Sequence, residues 1–92
     1  MAAEATIELP LVLRESLGRR RLSVTADTLE GAIESACVRW PALRMHLFED
    51  AGRFRPHVLC FHNGRDTREL ASLAVPLANG DRIAFLQAIS GG

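Results

Sequence analysis

The 92-residue chain has no lysine, no tyrosine, only two cysteines and no excess of either charge, with eleven arginines against eleven Asp and Glu side chains. Zero net charge gives no global pull toward nucleic acid or an anionic membrane, so neither is expected as a partner. Without lysine, no side-chain ammonium can accept an acyl group from a second copy, which excludes lysine-linked chains of this protein with itself. Cys37 and Cys60 lack the short spacing of redox or metal pairs and read as reduced structural thiols of a cytoplasmic protein. Two thiols also fall short of the four that an iron–sulfur cluster needs. No apolar run approaches the length of a membrane span, and Met1–Ala5 lacks the basic and apolar regions of a secretory leader. His57, Cys60 and His62 come nearest to a metal set. In an extended segment, though, His57 alternates away from the other two and no further ligand accompanies them, so no metal is expected. Ser–His–Asp groupings, phosphate-cradling glycine loops and paired carboxylates are missing too, and the chain does not read as an enzyme.

What is present suits one globular domain over residues 1–92, with 48% apolar and 24% charged residues. Ile7, Leu9, Leu11 and Leu13 alternate with Glu8, Pro10, Val12 and Arg14, which predicts a strand. Ser16-Leu17-Gly18 would then turn the chain into a second strand around Leu22 and Val24, closing a β-hairpin. Arg19-Arg20-Arg21 falls beside that turn and reads as a solvated basic run. Asp27-Thr28-Leu29-Glu30 has the capping-box pattern, with Asp27 as the expected N-cap. Leu29, Ile33, Ala36, Cys37 and Trp40 follow at helical spacing, and Pro41 ends that helix. Leu43 and Leu47 predict a further short helical turn.

Val58–His62 is strand-like and runs into Asn63-Gly64, a strong hairpin signal. Leu70, Leu73, Val75 and Leu77 look like anchors of a loop crossing the core. The turn Asn79-Gly80-Asp81 then launches the last strand, Arg82–Gln87. This order predicts an α+β, two-layer fold: a mixed sheet of four or five strands with one main helix on one face. If that helix covers Leu59, Phe61, Ile83 and Phe85, then Val58, Cys60, His62, Ala84 and Leu86 form an apolar docking patch on the opposite face.

The chain ends on Ile89-Ser90-Gly91-Gly92, and residues 88–92 read as a flexible tail. Side-chain-free glycines can thread a slot too narrow for a Cβ. They also leave the Gly92 carboxylate open to attack.

The order hairpin, helix, strands is that of the ubiquitin-like β-grasp. Asn63-Gly64, Val75-Pro76-Leu77, Gly80-Asp81, the alternating Ile83-Ala84-Phe85-Leu86 and the terminal Ile89-Ser90-Gly91-Gly92 together resemble the MoaD/ThiS sulfur-carrier family. The resemblance implies that Gly92 is adenylated by an E1-like enzyme using ATP and then converted to a thiocarboxylate. Gly91, Ser90 and Ile89 would thread the enzyme, and no cofactor would be bound. It further implies an acceptor enzyme, either a cysteine synthase or the large subunit of molybdopterin synthase. The long Gly52–His57 loop leans toward the cysteine type. A ubiquitin-like modifier joined to other proteins through Gly92, or a non-catalytic interaction module, would fit the same body.

Overall fold

The computed structural model describes residues 2–88. Strand β1 (Ala3–Glu8) buries Ala3, Ala5 and Ile7, and Leu9 continues the buried series beyond it. The sequence expectation of a strand through Leu13 does not hold. Pro10 adopts φ −57° and ψ 146°, and its carbonyl accepts from the Leu13 N–H at 3.0 Å, starting helix α1 (Leu11–Leu17). Gly18 ends the helix at φ 68°, a left-handed geometry that glycine takes without Cβ strain. The Arg19 N–H closes the cap onto the Arg14 carbonyl at 3.1 Å. The expected hairpin turn is therefore a helix C-cap, and the two strands are joined by a helix. Strand β2 (Arg21–Ala26) still pairs antiparallel with β1, placing Ile7 opposite Leu22 and Ala5 opposite Val24.

Helix α2 (Leu29–Arg39) buries Leu29, Ala32, Ile33, Ala36 and Cys37. Its N-cap is Thr28, not Asp27: the Thr28 Oγ1 accepts from the Gly31 N–H at 3.0 Å. The Leu29 and Glu30 N–H groups donate to the Val75 and Leu73 carbonyls at 2.9 Å each. The loop predicted to cross the core thus meets the open amides of the helix start. Trp40 and Pro41 lead into helix α3 (Pro41–Leu47), which buries Leu43 and Leu47 as expected.

Strand β3 (Val58–His62) turns through Asn63 (φ 50°) and Gly64 (φ 82°) into the short strand β4 (Arg65–Asp66). Two successive left-handed residues are what the Asn-Gly pair predicts for a tight hairpin. Strand β5 (Asp81–Gln87) lies in the middle of the sheet, whose order is β2-β1-β5-β3-β4. It runs parallel to β1 and antiparallel to β3. A central last strand beside the first, with α2 across one face, is the β-grasp arrangement expected from sequence. The core gathers Ile7, Leu9, Leu22, Leu29, Ile83 and Phe85, each almost fully excluded from solvent.

Candidate functional site

Gly92, Gly91, Ser90 and Ile89, the expected sulfur-carrying and threading residues, lie outside the described residues. The body that presents them is described up to Ala88, whose N–H donates to the His57 carbonyl at 2.7 Å. That bond extends the β3–β5 ladder by one step past the Val58–Gln87 pair. The last described residue is thus held to the sheet.

The expected docking patch divides. Register across β3 and β5 sets Cys60 opposite Phe85 and His62 opposite Ile83, while Leu59 opposes Leu86 and Phe61 opposes Ala84. Opposed residues in an antiparallel pair point to the same face. Val58 and Cys60 are therefore buried with Phe85 in the core, at 7% and 2% exposure, contrary to the expectation that they face outward. His62 also leaves the patch, because its Nε2 meets Asp81 Oδ2 at 2.9 Å. Ala84 and Leu86 remain on the face away from α2, joined by Leu59 and Phe61, which the sequence reading had assigned to the helix side. All five side chains of β3 can sit on an apolar surface, so alternation alone could not choose the phase. Pairing with β5 chose it.

On this outer face Glu8, Phe61, Asn63, Gly64, Arg82, Ala84 and Leu86 line a shallow depression. An ion pair crosses its rim, with Arg82 Nη2 at 2.6 Å from Glu8 Oε1. The Arg82 hydrogen bond holds the Glu8 carboxyl below its usual range, with Arg82, Arg21 and Arg14 adding charge attraction. Leu86 is 51% exposed at the end nearest the tail.

Asp81 fastens the start of β5. Its carboxylate accepts from the Ala78 N–H at 3.0 Å and the Asn63 amide at 3.0 Å, and it meets the His62 ring at 2.9 Å. These bonds, the Ala78 amide first, hold its pKa down at about 2. Asn63 is fixed in turn, because its Oδ1 accepts from the Arg82 N–H at 2.8 Å. Sequence reading placed Asp81 in the turn but did not find its partners across the sheet.

Both thiols are buried, at 1% and 2% exposure, which disfavours their thiolate forms. Burial raises the pKa of Cys37, and that of Cys60 is pushed up to about 12, again chiefly by burial. Among the described residues, no group of three His, Cys, Asp or Glu side chains is placed to hold a metal. No helix among them is long and apolar enough to cross a membrane.

The ThiS family model matches residues 7–92, nearly the whole chain. The chain belongs to the ThiS family. Among curated relatives, this ThiS-family chain is 28% identical over 90 residues to the sulfur carrier protein CysO of Mycobacterium tuberculosis, covering 95% of this chain and 97% of the relative. It is 32% identical over 83 residues to small archaeal modifier protein 1 of Haloferax volcanii, covering 87% and 91%. Its backbone resembles the solution structure of small archaeal modifier protein 1 from Methanosarcina acetivorans with a TM-score of 0.84, at 26% identity and over 100% and 99% of the two chains. The present chain is thus a ubiquitin-like protein of the sulfur-carrier and modifier type.

Proposed function

We propose that this ThiS-family chain carries sulfur as a thiocarboxylate on Gly92. An α-carboxylate is ionised at neutral pH and is a poor acyl donor. An E1-like partner would join the Gly92 carboxylate to AMP from ATP, releasing pyrophosphate. Sulfide (HS⁻) would then attack the acyl carbon, displacing AMP and losing its proton, leaving –COS⁻ on the carrier for transfer to an acceptor enzyme. The observation that carries this reading is the central position of β5, held between β1 and β3, with Ala88 tied to His57 directly before the tail. Such a frame lets a partner position the tail by gripping the body. The burial of both thiols supports the terminus as the sulfur site, since it holds Cys37 and Cys60 away from solvent and disfavours their thiolates. In this scheme the chain is a protein co-substrate, and ATP belongs to the activating enzyme.

The curated modifier at 32% identity supports a second reading, attachment through Gly92 to lysines of other proteins. Both readings share the adenylation step. Intact-mass measurement after incubation with the adenylating enzyme, ATP and sulfide separates them. Exchange of one oxygen for sulfur on the free chain is the expected result. Isopeptide adducts on foreign proteins, with no sulfur gain, would establish modification instead.

A further inference from the structure

Five large apolar side chains stand exposed among the described residues: Leu11, Val12, Val38, Met45 and Leu86. Four of them, Leu11, Val12, Val38 and Leu86, lie at one end of the molecule. Parallel pairing with β1 and antiparallel pairing with β3 bring the last residues of β5 level with Leu9 and Val58. Helix α1 carries Leu11 and Val12 across this same end, between β1 and β2. Helix α2 returns from the far end over eleven residues, about 16 Å, and Val38 sits in its last turn. Met45 stands apart from these four, lining a cavity with Glu30, Ile33 and Leu73 beside the first half of α2. The opposite end, with the Asn63-Gly64 and Asn79-Gly80 turns, carries none of these four.

The same end gathers unpaired positive charge. Arg19, Arg20 and Arg39 are all exposed, and among the described residues none has a carboxylate at ion-pair distance, whereas Arg21 stands opposite Glu8 across β1 and β2 and attracts its carboxylate. Arg44, Arg65, Arg68 and Arg82 each have one. The guanidinium carbons of Arg19 and Arg39 lie 5.5 and 4.4 Å from the centre of the Trp40 ring, which gathers both onto one support. Glu15 is the one acidic residue of α1.

Single exposed apolar residues on a small domain need no explanation. The gathering of four of the five at one end does, and so does the collection there of like charges that repel one another. A phosphate backbone would use the arginines but has no use for Leu11, Val12 and Val38. The one tryptophan already has guanidinium groups against it, so it offers a poor stacking platform. A protein surface uses both features. We infer that this end is a docking collar around the tail exit, and that the activating enzyme meets it with an apolar recess edged by carboxylates. The inference rests on the carrier reading above and adds to it the surface by which the tail is delivered.

The test measures pyrophosphate release by the adenylating enzyme encoded in the same genome, as a function of carrier concentration. Carriers are wild type, the charge reversal Arg19→Glu with Arg39→Glu, and Leu11→Ser with Val12→Ser. Each variant should raise KM by about tenfold and leave kcat at saturation within about twofold. Added KCl should raise the wild-type KM and leave the charge-reversed KM nearly flat. Arg19→Lys with Arg39→Lys should restore most of the affinity. Unchanged KM in both disruptive variants, with wild type active, overturns the collar and leaves the carrier reading standing. So does binding of a poly(U) oligonucleotide through the same arginines without any KM effect. If wild type releases no pyrophosphate at all, the carrier reading fails, and the collar is judged by binding alone. The chain's single tryptophan, labelled as 5-fluorotryptophan, gives one fluorine resonance at Trp40. A shift on adding the enzyme, lost on charge reversal, supports the collar, and an unmoved resonance overturns it.

Discussion

Leu59 and Leu86 face each other across β3 and β5 on the side of the sheet away from α2, one step out of phase with the buried Cys60–Phe85 pair. The two pairs give neighbouring residues of one strand opposite jobs. Phe85 is 1% exposed and fills the core, whereas Leu86 is 51% exposed beside the tail exit. Leu86→Ser should therefore leave stability within about 0.5 kcal/mol while raising the KM for adenylation. Phe85→Ala should cost about 3–5 kcal/mol and unfold much of the protein. Urea denaturation of both variants beside the adenylation assay checks the division. A stability loss at Leu86 equal to that at Phe85 would contradict this account of the faces.

Burial makes a second prediction about sulfur. Both thiols should resist iodoacetamide at pH 8 in the folded chain and react once it is unfolded in urea, since Cys37 and Cys60 are 1% and 2% exposed. Cys37→Ala with Cys60→Ala should still gain sulfur in the intact-mass experiment, at some cost in stability from the core volume removed. Loss of sulfur loading from a variant that remains folded would place the cargo on a thiol instead of the terminus.

Acid should expose the Asp81 network. In the folded chain this carboxyl titrates at about 2, against 3.8 for an unperturbed aspartate. A depressed folded value means that its contribution is complete above the unfolded pKa and is lost as pH falls from near 3.8 through about 2. The amount at stake is about 2–2.5 kcal/mol, since each pKa unit corresponds to about 1.4 kcal/mol. Urea midpoints measured from pH 6 downward should fall across that window in wild type. Asp81→Asn should start lower at neutral pH and show a shallower acid limb.

These residues also show why some features could be read from sequence and others could not. Asn63-Gly64 demands two left-handed conformers in succession, which few other residue pairs tolerate, so that turn was legible. The α2 stripe was legible because five apolar positions recur at one helical period. Helix α1 was not, because Leu9, Leu11 and Leu13 fit an alternating strand while Leu13 and Leu17 fit one side of a helix equally well. The carbonyl of Pro10 and the left-handed Gly18 decided between them. The phase of β3 was hidden for a different reason: both of its faces are apolar enough to bury. Its orientation is a property of the β3–β5 pairing, which joins residues some 25 positions apart.

The helix cap offers a local test of the same point. The Thr28 hydroxyl oxygen accepts from the Gly31 N–H at 3.0 Å, satisfying an amide that the helix itself leaves open. Thr28→Ala should cost about 1 kcal/mol, and Thr28→Ser should recover most of it. Thermal denaturation of the two variants provides the comparison.

Among the described residues Ala88 is the last tied to the sheet, through His57, and the core named above contains none beyond Phe85. Deleting Gly91-Gly92 should consequently leave stability within about 0.5 kcal/mol of wild type. The same deletion should abolish sulfur loading, because the new terminal carboxylate would belong to Ser90. A side chain at that position crowds the acyl group, and the stalk is two residues shorter. Adding back a single terminal glycine should restore little, since the reach stays one residue short. If a chain lacking both glycines still supported its function in cells, the body alone would be the active part, and this domain would be an interaction module in place of a carrier.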